Sequence, residues 1–550
     1  MATLETQLPR ALTATTLCEA FQITASERPA QPAVRAVGGA GELTFSQLRD
    51  RVRMIAAGLA GLGVRRGDTV ALMMLNRPEF HACDLGALHL GAIPFSIYNT
   101  SAPEQIAYLF ENAGNGVVIT ERMFAPAIAA AGFDGHVVLV DGGAEDGATS
   151  LDELMAGGEE GFDFEAAWRA LGPDDLLTLI YTSGTTGPPK GVQLTHRNLL
   201  SMMRGFRALV GASSGGRIVS FLPSAHIADR WASHYQSLCC EGFTVTSVAD
   251  PRQVVASLPE VRPTLWGAVP RVWEKLKAAL EAQGVTDPGA MPEEARAAIR
   301  AKLGLDAVER SIIGAAPTPV EVLEFFDALG LPILEVWGMS ETSAISTCNP
   351  PGAPRFGTCG VALPGVELRI ADDGELLVRG EHVMTGYRGD PQRTAETFTD
   401  DGWLMTGDVG EIDADGYLRI VDRKKELIIN AAGKNMSPAN IESRLKAAHP
   451  LIGQACVVGD GRPYNVALLV LDPDVSGGRS AGEFSEEVAG AVAEANSHLS
   501  RVEQVKRYVV LDAEWMPGGD ELTPTMKLKR KPIAAKYASE IEALYAAPPQ

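Results

Sequence analysis

The sequence predicts an α/β protein built around mostly parallel sheets, and three observations carry that prediction. Between residues 43 and 120, short apolar runs alternate with helical periodicity. After Gly357 the texture changes to short strands separated by Gly and Asp turns, the pattern of a small β-rich subdomain. Behind a charged cluster at residues 422–426, a compact αβ unit continues to about residue 540. Strand–helix alternation of this kind gives parallel sheets covered by helices.

The elements follow in order. Leu48, Val52, Ile55, Leu59 and Leu62 fall on one helical face, with Ser46 as the expected N-cap. Gly67-Asp68 turns the chain into an apolar run at 69–75, and further strands are expected at 117–120 and 136–140. Residues 141–164, rich in Gly, Asp and Glu, read as a surface loop with a short helix, and residues 284–295 as another loop. An apolar run at 176–181 and a helix starting near Thr195 flank a Gly/Thr-rich segment. Residues 366–370, 375–378 and 417–421 are the short strands of the β-rich part.

The 550 residues suffice for about three to four domain-sized units with a large core and a cleft. Lys plus Arg is 48 and Asp plus Glu 69, a net charge of −21, which argues against nucleic acid or anionic lipid as a default partner. An anionic ligand therefore needs a local basic site, which Lys190, Arg423, Lys424, Lys425 and Lys527 can supply. The seven cysteines (Cys18, Cys83, Cys239, Cys240, Cys348, Cys359 and Cys456) are scattered and contain no Cys-x-x-Cys. A reduced thiol set is expected, without a zinc site or disulfide framework. No signal-like opening and no bilayer-length apolar run is present. A cytoplasmic protein is expected, with at most peripheral membrane contact; oligomeric state is not legible.

The segment richest in chemistry is Thr182-Ser183-Gly184-Thr185-Thr186-Gly187-Pro188-Pro189-Lys190-Gly191. Glycines let backbone N–H groups turn toward a ligand, hydroxyls add donors, and Lys190 adds charge. Such a loop suits an anion, above all a polyphosphate. It is not a Walker A loop, because no Gly-x-x-x-x-Gly-Lys-Ser/Thr pattern occurs. A plain Gly/Thr turn is the competing reading, but it needs fewer hydroxyls.

Five further segments follow in order: Trp337-Gly338-Met339-Ser340-Glu341-Thr342, the run 402–408 ending in Thr406-Gly407-Asp408, the cluster 422–425, Gly433-Lys434-Asn435-Met436-Ser437-Pro438, and the basic run 522–530 around Lys527. Together these six motifs resemble the adenylate-forming superfamily of acyl-CoA synthetases, luciferases and peptide-synthetase adenylation domains, over roughly residues 40–535. The resemblance implies a large N-terminal domain (1–424) of two αβ-layered sheets plus a distorted β-barrel, and a small mobile α+β C-terminal domain (425–550). It also implies a two-step reaction with ATP, Mg²⁺ and CoA. A carboxylate attacks the α-phosphorus to give an acyl-adenylate and pyrophosphate, and a thiol then displaces AMP. Such chemistry needs in-line positioning and cations rather than a protein nucleophile.

Residue by residue, the resemblance assigns Thr182, Ser183, Gly184, Thr185, Thr186, Gly187 and Lys190 to the β- and γ-phosphates, with Thr186 counted among the catalytic groups. Glu341 is implied as the Mg²⁺ ligand and Ser340 as an α-phosphate contact. Trp337, with Gly338 and Met339, is implied to cover the adenine by stacking, and Gly314-Ala315-Ala316 to pack on its other face. Asp408 would accept both ribose hydroxyls, with Arg423 nearby. Lys527 matches the catalytic lysine of adenylation, Lys425 the hinge, and Gly433 the CoA tunnel. On residue type alone, Lys527 belongs to a basic run that is ordinarily a solvated face, Asp408 to a turn, and Trp337 to a core.

Among these enzymes the chain is most similar to long-chain fatty acid–CoA ligases. Phe221-Leu222-Pro223-Ser224-Ala225-His226 resembles their Leu-Pro-x-x-His segment, implying that His226 closes the carboxylate pocket; by residue type a core or surface histidine serves as well. Trp273 in the segment 263–273 resembles their acyl gate. Met405, Ala432 and Trp337 depart from the pattern, where relatives often have His, Gly and Tyr. An acyl-AMP ligase loading a carrier protein is the near alternative, but the insertion such enzymes carry before the hinge is absent from 380–398. An inactive binder of acyl groups or partners has no need of Lys527, Glu341, Asp408 and Arg423 together.

Overall fold

A computed structural model describes residues 8–143, 147–182, 188–211, 213–431, 434–477, 479, 481–523 and 526–546. The first long helix, Phe45–Gly61, starts at Thr44, not Ser46. Thr44 is extended, its side chain accepts from Gln47 N–H, and Gln47 returns a bond to the Thr44 N–H, a reciprocal pair that Ser46 inside the first turn cannot form. Leu48, Val52, Ile55 and Leu59 on this helix are fully buried, each contributing roughly 1.5–3 kcal/mol. The helix Pro78–Leu90 crosses it at Gly86, where a Cβ would stand 2.5 Å from Ile55 Cγ2.

The largest sheet has eight strands in the order Gly386–Tyr387, Lys190–Thr195, Leu176–Thr182, Ile93–Ser96, Thr69–Met73, Val117–Thr120, His136–Leu139 and Thr149–Ser150. From Leu176–Thr182 onward all pairings are parallel; the first two strands close it antiparallel. A second layer comprises a four-stranded sheet (Arg217–Ser220, Thr244–Ser247, Pro32–Ala36, Leu43–Thr44) and a five-stranded one (Leu265–Ala268, Arg310–Ile313, Ile333–Trp337, Thr347–Cys348, Val361–Ala362). Their edges meet at Thr264, whose N–H donates to Arg217 O at 2.9 Å. Two αβ layers are thus present, as expected. The strands Leu176–Thr182, Arg217–Ser220, Arg310–Ile313 and Ile333–Trp337 each run directly into a motif segment, the position where α/β sheets place ligands.

The β-rich part expected as a distorted barrel is present as a half-barrel. Its four antiparallel strands, Val366–Ile370, Glu375–Gly380, Leu404–Ile412 and Leu418–Arg423, form an open sheet. Beyond Arg423 come a ribbon (Ile428–Ile429 with Asn435–Met436), a three-stranded sheet (Ile452–Val458, Asn465–Leu471, Val505–Leu511), and helices that bury its two faces in separate apolar clusters. Among the described residues, no helix is long and apolar enough to cross a membrane.

One polar network lies wholly inside the protein. Asp84 pairs with Arg230, and His234 Nε2 donates to Asp84 Oδ1 at 2.9 Å; all three side chains are inaccessible to solvent. His81 Nδ1 and His234 Nδ1 lie 2.9 Å apart, so His81 donates to a neutral His234, and burial holds both imidazoles well below their ordinary pKa. Arg230 also donates to Thr178 Oγ1 at 2.9 Å, tying the π-helix Arg230–Cys240 to the strand that ends at Thr182. Removing the carboxylate strands a buried guanidinium. Asp84→Ala is expected to cost about 3–5 kcal/mol, read as a large fall in the urea or thermal midpoint, whereas Thr178→Val costs about 1 kcal/mol.

Candidate active site

The motif segments meet in one cleft between the two parallel layers, the half-barrel and the C-terminal unit. Leu176–Thr182 and Lys190–Thr195 are antiparallel register partners up to the pair Thr182 and Lys190, which flank the hydroxyl-rich segment in sequence. Ser183, Gly184, Thr185, Thr186 and Gly187 lie outside the described residues, as does Gly433. Lys190 is half-buried with its Nζ 4.9 Å from the Tyr387 ring centroid. Burial lowers its pKa, opposed by Glu341 and Asp390 and reinforced by Arg393 and Lys425.

Glu341 sits in the 3₁₀ turn Ser340–Thr342, itself buried, where Oε1 accepts from Tyr387 Oη at 2.9 Å. Ser343 and Ala344 follow with φ of 57° and 94°, a left-handed bend packed over Gly338, where a Cβ would stand 2.1 Å from Ala344 O. Gly314 likewise has no room, its Cβ position lying 2.8 Å from Val336 Cγ2. Ala315 takes a φ of 72°, and Ala315 and Ala316 are exposed to the cleft.

Asp408 stands opposite Arg423 in the half-barrel register. Its Oδ1 is ion-paired with Arg423 Nε at 2.7 Å, and its Oδ2 accepts from Trp337 Nε1 at 2.8 Å. Burial raises the Asp408 pKa, while Arg423, the Trp337 hydrogen bond and Lys527 oppose that rise. Trp337 is only 9 % exposed and packs with Leu376, Val378 and Leu418 in the half-barrel core. The ring expected to cover a base is therefore mostly covered itself.

Lys527 reaches this cleft from the C-terminal unit. Its N–H donates to Thr523 Oγ1 at 3.0 Å, Thr523 N–H donates to Lys527 O at 2.8 Å, and Met526 N–H returns to Thr523 O at 2.9 Å. This tight turn puts Met526 at a φ of 64°, a left-handed geometry costing about 1–2 kcal/mol for a non-glycine residue. The Lys527 side chain is solvent-accessible yet walled by protein, and that crowding, with Arg423, lowers its pKa against Asp408, Glu341 and Glu426.

His226 is on the opposite wall. Its Nδ1 accepts the Ala228 N–H at 3.2 Å, so the proton resides on Nε2, and burial with the nearby Lys527 charge lowers its pKa to about 4. Trp273, by contrast, is fully buried, edge-on to Trp266 and Phe326 with ring centroids at 6.2 and 4.8 Å; its indole N–H has no acceptor among the described residues. Lys425 is exposed in the turn after Leu418–Arg423.

The profile of AMP-binding enzymes matches residues 21–388, and that of the AMP-binding enzyme C-terminal domain matches residues 425–548. The chain belongs to the AMP-binding enzyme family. A putative fatty-acid–CoA ligase, fadD11, of Mycobacterium tuberculosis is 49% identical over 451 residues, covering 73% of this chain and 79% of the relative. The long-chain-fatty-acid–CoA ligase FadD15 of Mycobacterium bovis is 37% identical, with 92% of each chain covered. Among solved structures, o-succinylbenzoate coenzyme A synthetase of Bacillus subtilis in complex with AMP has a TM-score of 0.74 at 26% identity, over 93% of this chain and 97% of that one. The adenylation–carrier didomain of a carboxylic acid reductase from Segniliparus rugosus shares the fold at a TM-score of 0.81 and 20% identity, covering 98% of this chain and 84% of that one.

In this AMP-binding enzyme Lys527 stands within electrostatic reach of Asp408, Arg423, Glu341 and His226, and Lys190 of Glu341. Thr182, Gly314, Ala315, Ala316, Trp337, Gly338, Met339 and Ser340 lie at or just beyond the ends of the strands Leu176–Thr182, Arg310–Ile313 and Ile333–Trp337, and Trp273 sits in an apolar core. Two participants escaped the sequence reading. Tyr387 reaches Glu341 only because the edge strand Gly386–Tyr387 pairs with Lys190–Thr195, a long-range register with no local signature. Arg393, from the helix Pro391–Thr397, adds charge beside Lys190.

The C-terminal unit is held by ion pairs: Arg271 with Asp472 at 2.8 Å, Lys275 with Asp474 at 3.2 Å, and Arg444 with Glu321 at 2.6 Å. Asp472 is shared by Arg271 and Lys275, which keep its pKa low despite burial. Asp472→Ala is expected to speed tryptic cleavage at Lys424–Lys425 several-fold, with the exchange Arg271→Asp/Asp472→Arg restoring the original rate. Unchanged cleavage in the single variant would mean that these pairs do not hold the docked state.

Proposed function

We propose that this chain activates a long-chain fatty acid with ATP and passes the acyl group to CoA, releasing pyrophosphate and then AMP. The observation that carries the reading is the convergence of Lys527 on Asp408, Arg423 and Glu341, with His226 facing it across the cleft. Relatives named as fatty-acid–CoA ligases over most of this chain support the acceptor and the acid.

In the first step a fatty carboxylate oxygen bonds to the α-phosphorus as the bond from that phosphorus to the bridging oxygen of pyrophosphate breaks. Lys527 offsets charge on the carboxylate and α-phosphate as the transition state forms. Neutral His226, with its proton on Nε2, donates to the carboxylate without having to ionise. Lys190 and the adjoining hydroxyl loop, Thr186 included, hold the β- and γ-phosphates; Ser340 contacts the α-phosphate, and Asp408 receives the ribose. In the second step the CoA sulfur bonds to the acyl carbon and AMP leaves with the carbonyl-bound oxygen.

Glu341 fits an Mg²⁺ ion. Its Oε2 takes no hydrogen bond from a described residue, and no group of three or more His, Cys, Asp or Glu side chains is arranged around a metal among the described residues. A lone carboxylate suits a hard cation that keeps waters and phosphate oxygens as its remaining ligands. Bound there, the ion would neutralise phosphate charge.

Lys425 is the point about which the unit from 425 onward turns between the two steps, bringing Gly433 to the pantetheine path. Trp273 closes the acyl site and moves aside when a chain enters. ATP and CoA as soluble co-substrates fit a cytoplasmic enzyme.

AMP release from ATP and CoA over fatty acids of short to very long chain tests the reading, with a maximum at long chains expected. Pyrophosphate exchange without CoA-dependent turnover would move the protein to carrier loading, and silence in both assays to a binding role. Lys527→Ala should lower adenylation by orders of magnitude while thioester formation from supplied acyl-AMP largely survives; equal loss of both in a folded variant would remove Lys527 from its assigned role.

A further inference from the structure

The bond between Trp337 and Asp408 is not explained by a base platform. The indole is 9 % exposed and wedged among Leu376, Val378 and Leu418, so its ring offers little face to a ligand. Its one polar atom is instead spent on Asp408 Oδ2 at 2.8 Å, while Arg423 Nε holds Oδ1 at 2.7 Å. The two donors come from different sheets, Trp337 from the end of Ile333–Trp337 and Arg423 from the half-barrel. Between them they fix the plane of the carboxylate.

We infer that Trp337 is a positioning residue for the nucleotide's sugar: its indole N–H clamps Asp408 so that the remaining lone pair on each carboxylate oxygen is aimed at a vicinal diol. This deepens the proposed function and rests on the assignment of Asp408 to the ribose. A carboxylate offers about four acceptor positions; the indole N–H takes one on Oδ2 and Arg423 is ion-paired at Oδ1, so an acceptor position remains on each oxygen. A free carboxyl group can turn to satisfy a single hydroxyl, whereas a clamped one leaves an oxygen without its partner when either hydroxyl is missing. The clamp therefore converts sugar binding into discrimination between ribo- and deoxynucleotides.

The same bond bears on ionisation. The charged or titratable groups facing Asp408 are Arg423 and Asp422 on the neighbouring strand, Cys359, and Lys527 from the C-terminal unit. Burial raises the Asp408 pKa and Asp422 adds to the rise; Arg423, the indole N–H and Lys527 lower it. Deleting the indole donor removes one lowering influence, so the carboxylate protonates at a higher pH and binding fails earlier on the acid side.

The test is calorimetric titration of the full chain with AMP, 2′-deoxy-AMP and 3′-deoxy-AMP across pH, in the wild type, in Trp337→Phe, and with β-(3-benzothienyl)alanine at 337. The last side chain matches tryptophan in shape but lacks the N–H, which protects the test against misfolding of the phenylalanine variant. The wild type is expected to favour AMP over either deoxynucleotide by about tenfold or more, the scale of a lost hydrogen bond to a charged group. Both replacements should shrink that preference to about threefold or less and move the acid limb of AMP binding upward. Unchanged preference and acid limb in the benzothienyl protein would overturn the clamp while leaving the proposed function standing. A wild type that binds AMP without any ribose preference would overturn the assignment of Asp408 itself.

Discussion

The burial of an ionised pair, Asp84 with Arg230, is the constraint on which the fixed wall of the cleft depends. Charges without solvent are tolerated only when every polar atom nearby is oriented toward them. Here that demand recruits His234, Tyr235 and Thr178, and through His234 also His81. The network joins the helix Pro78–Leu90, the π-helix and the strand Leu176–Thr182. Because His226 lies four residues before Arg230, and Thr182 four after Thr178, one buried pair sets the distance between the two walls. Wide π-helical winding at this point fits the tendency of such turns to occur where side chains must be re-aimed for function.

The opposite wall is attached differently. Arg271, Asp472, Lys275, Asp474, Arg444 and Glu321 are at least partly open to water, except the largely covered Asp472. Solvent-facing ion pairs are each worth about 0–1 kcal/mol and weaken with salt. A unit docked by such contacts leaves at little cost, whereas loss of Asp84 is a stability event. The proposed two-step reaction would use this asymmetry: a rigid face to retain the nucleotide and a loosely held one to exchange its catalytic surface. Lys527 belongs to the loosely held side, so under the proposed function the charge assigned to the first step would leave with the unit that carries it.

The α/β class, the strands at 117–120 and 366–370, and the helix after Thr195 were all legible, because each is set by local periodicity and local capping. The motif segments stand out through the resemblance of six ordered runs, since on residue type alone Lys527 reads as part of a solvated face and Asp408 as a turn. What stayed hidden depends on pairing between distant segments. Ser46 looked like a cap because a hydroxyl precedes the apolar face, but the reciprocal partner at Gln47 selects Thr44. Tyr387 becomes part of the site through an edge strand of two residues. Trp337 reads as a core residue from its type and as a platform only through the resemblance, and the neighbouring half-barrel shows where its ring and its N–H go. How far the distorted barrel opens into a half-barrel is hidden for the same reason, since closure depends on strand register rather than composition.

A chain with a net charge of −21 must still hold a nucleotide polyphosphate, and the cleft shows how. Lys190, Arg393 and Lys425 crowd one end, Arg423 and Lys527 the other, with Glu341, Asp390, Asp408 and Glu426 interspersed. Lys190 and Lys527 have lowered pKa values chiefly because burial strips solvent from their ammonium groups, with neighbouring cations adding to the effect. A bound polyanion supplies these half-covered cations with the countercharge that water no longer screens. The anionic exterior then acts as a filter, because only a ligand that reaches these few cations gains more than it loses to the surrounding field. Selectivity for the nucleotide thus comes from contrast between a local basic cleft and an acidic body, and a basic body would forfeit it.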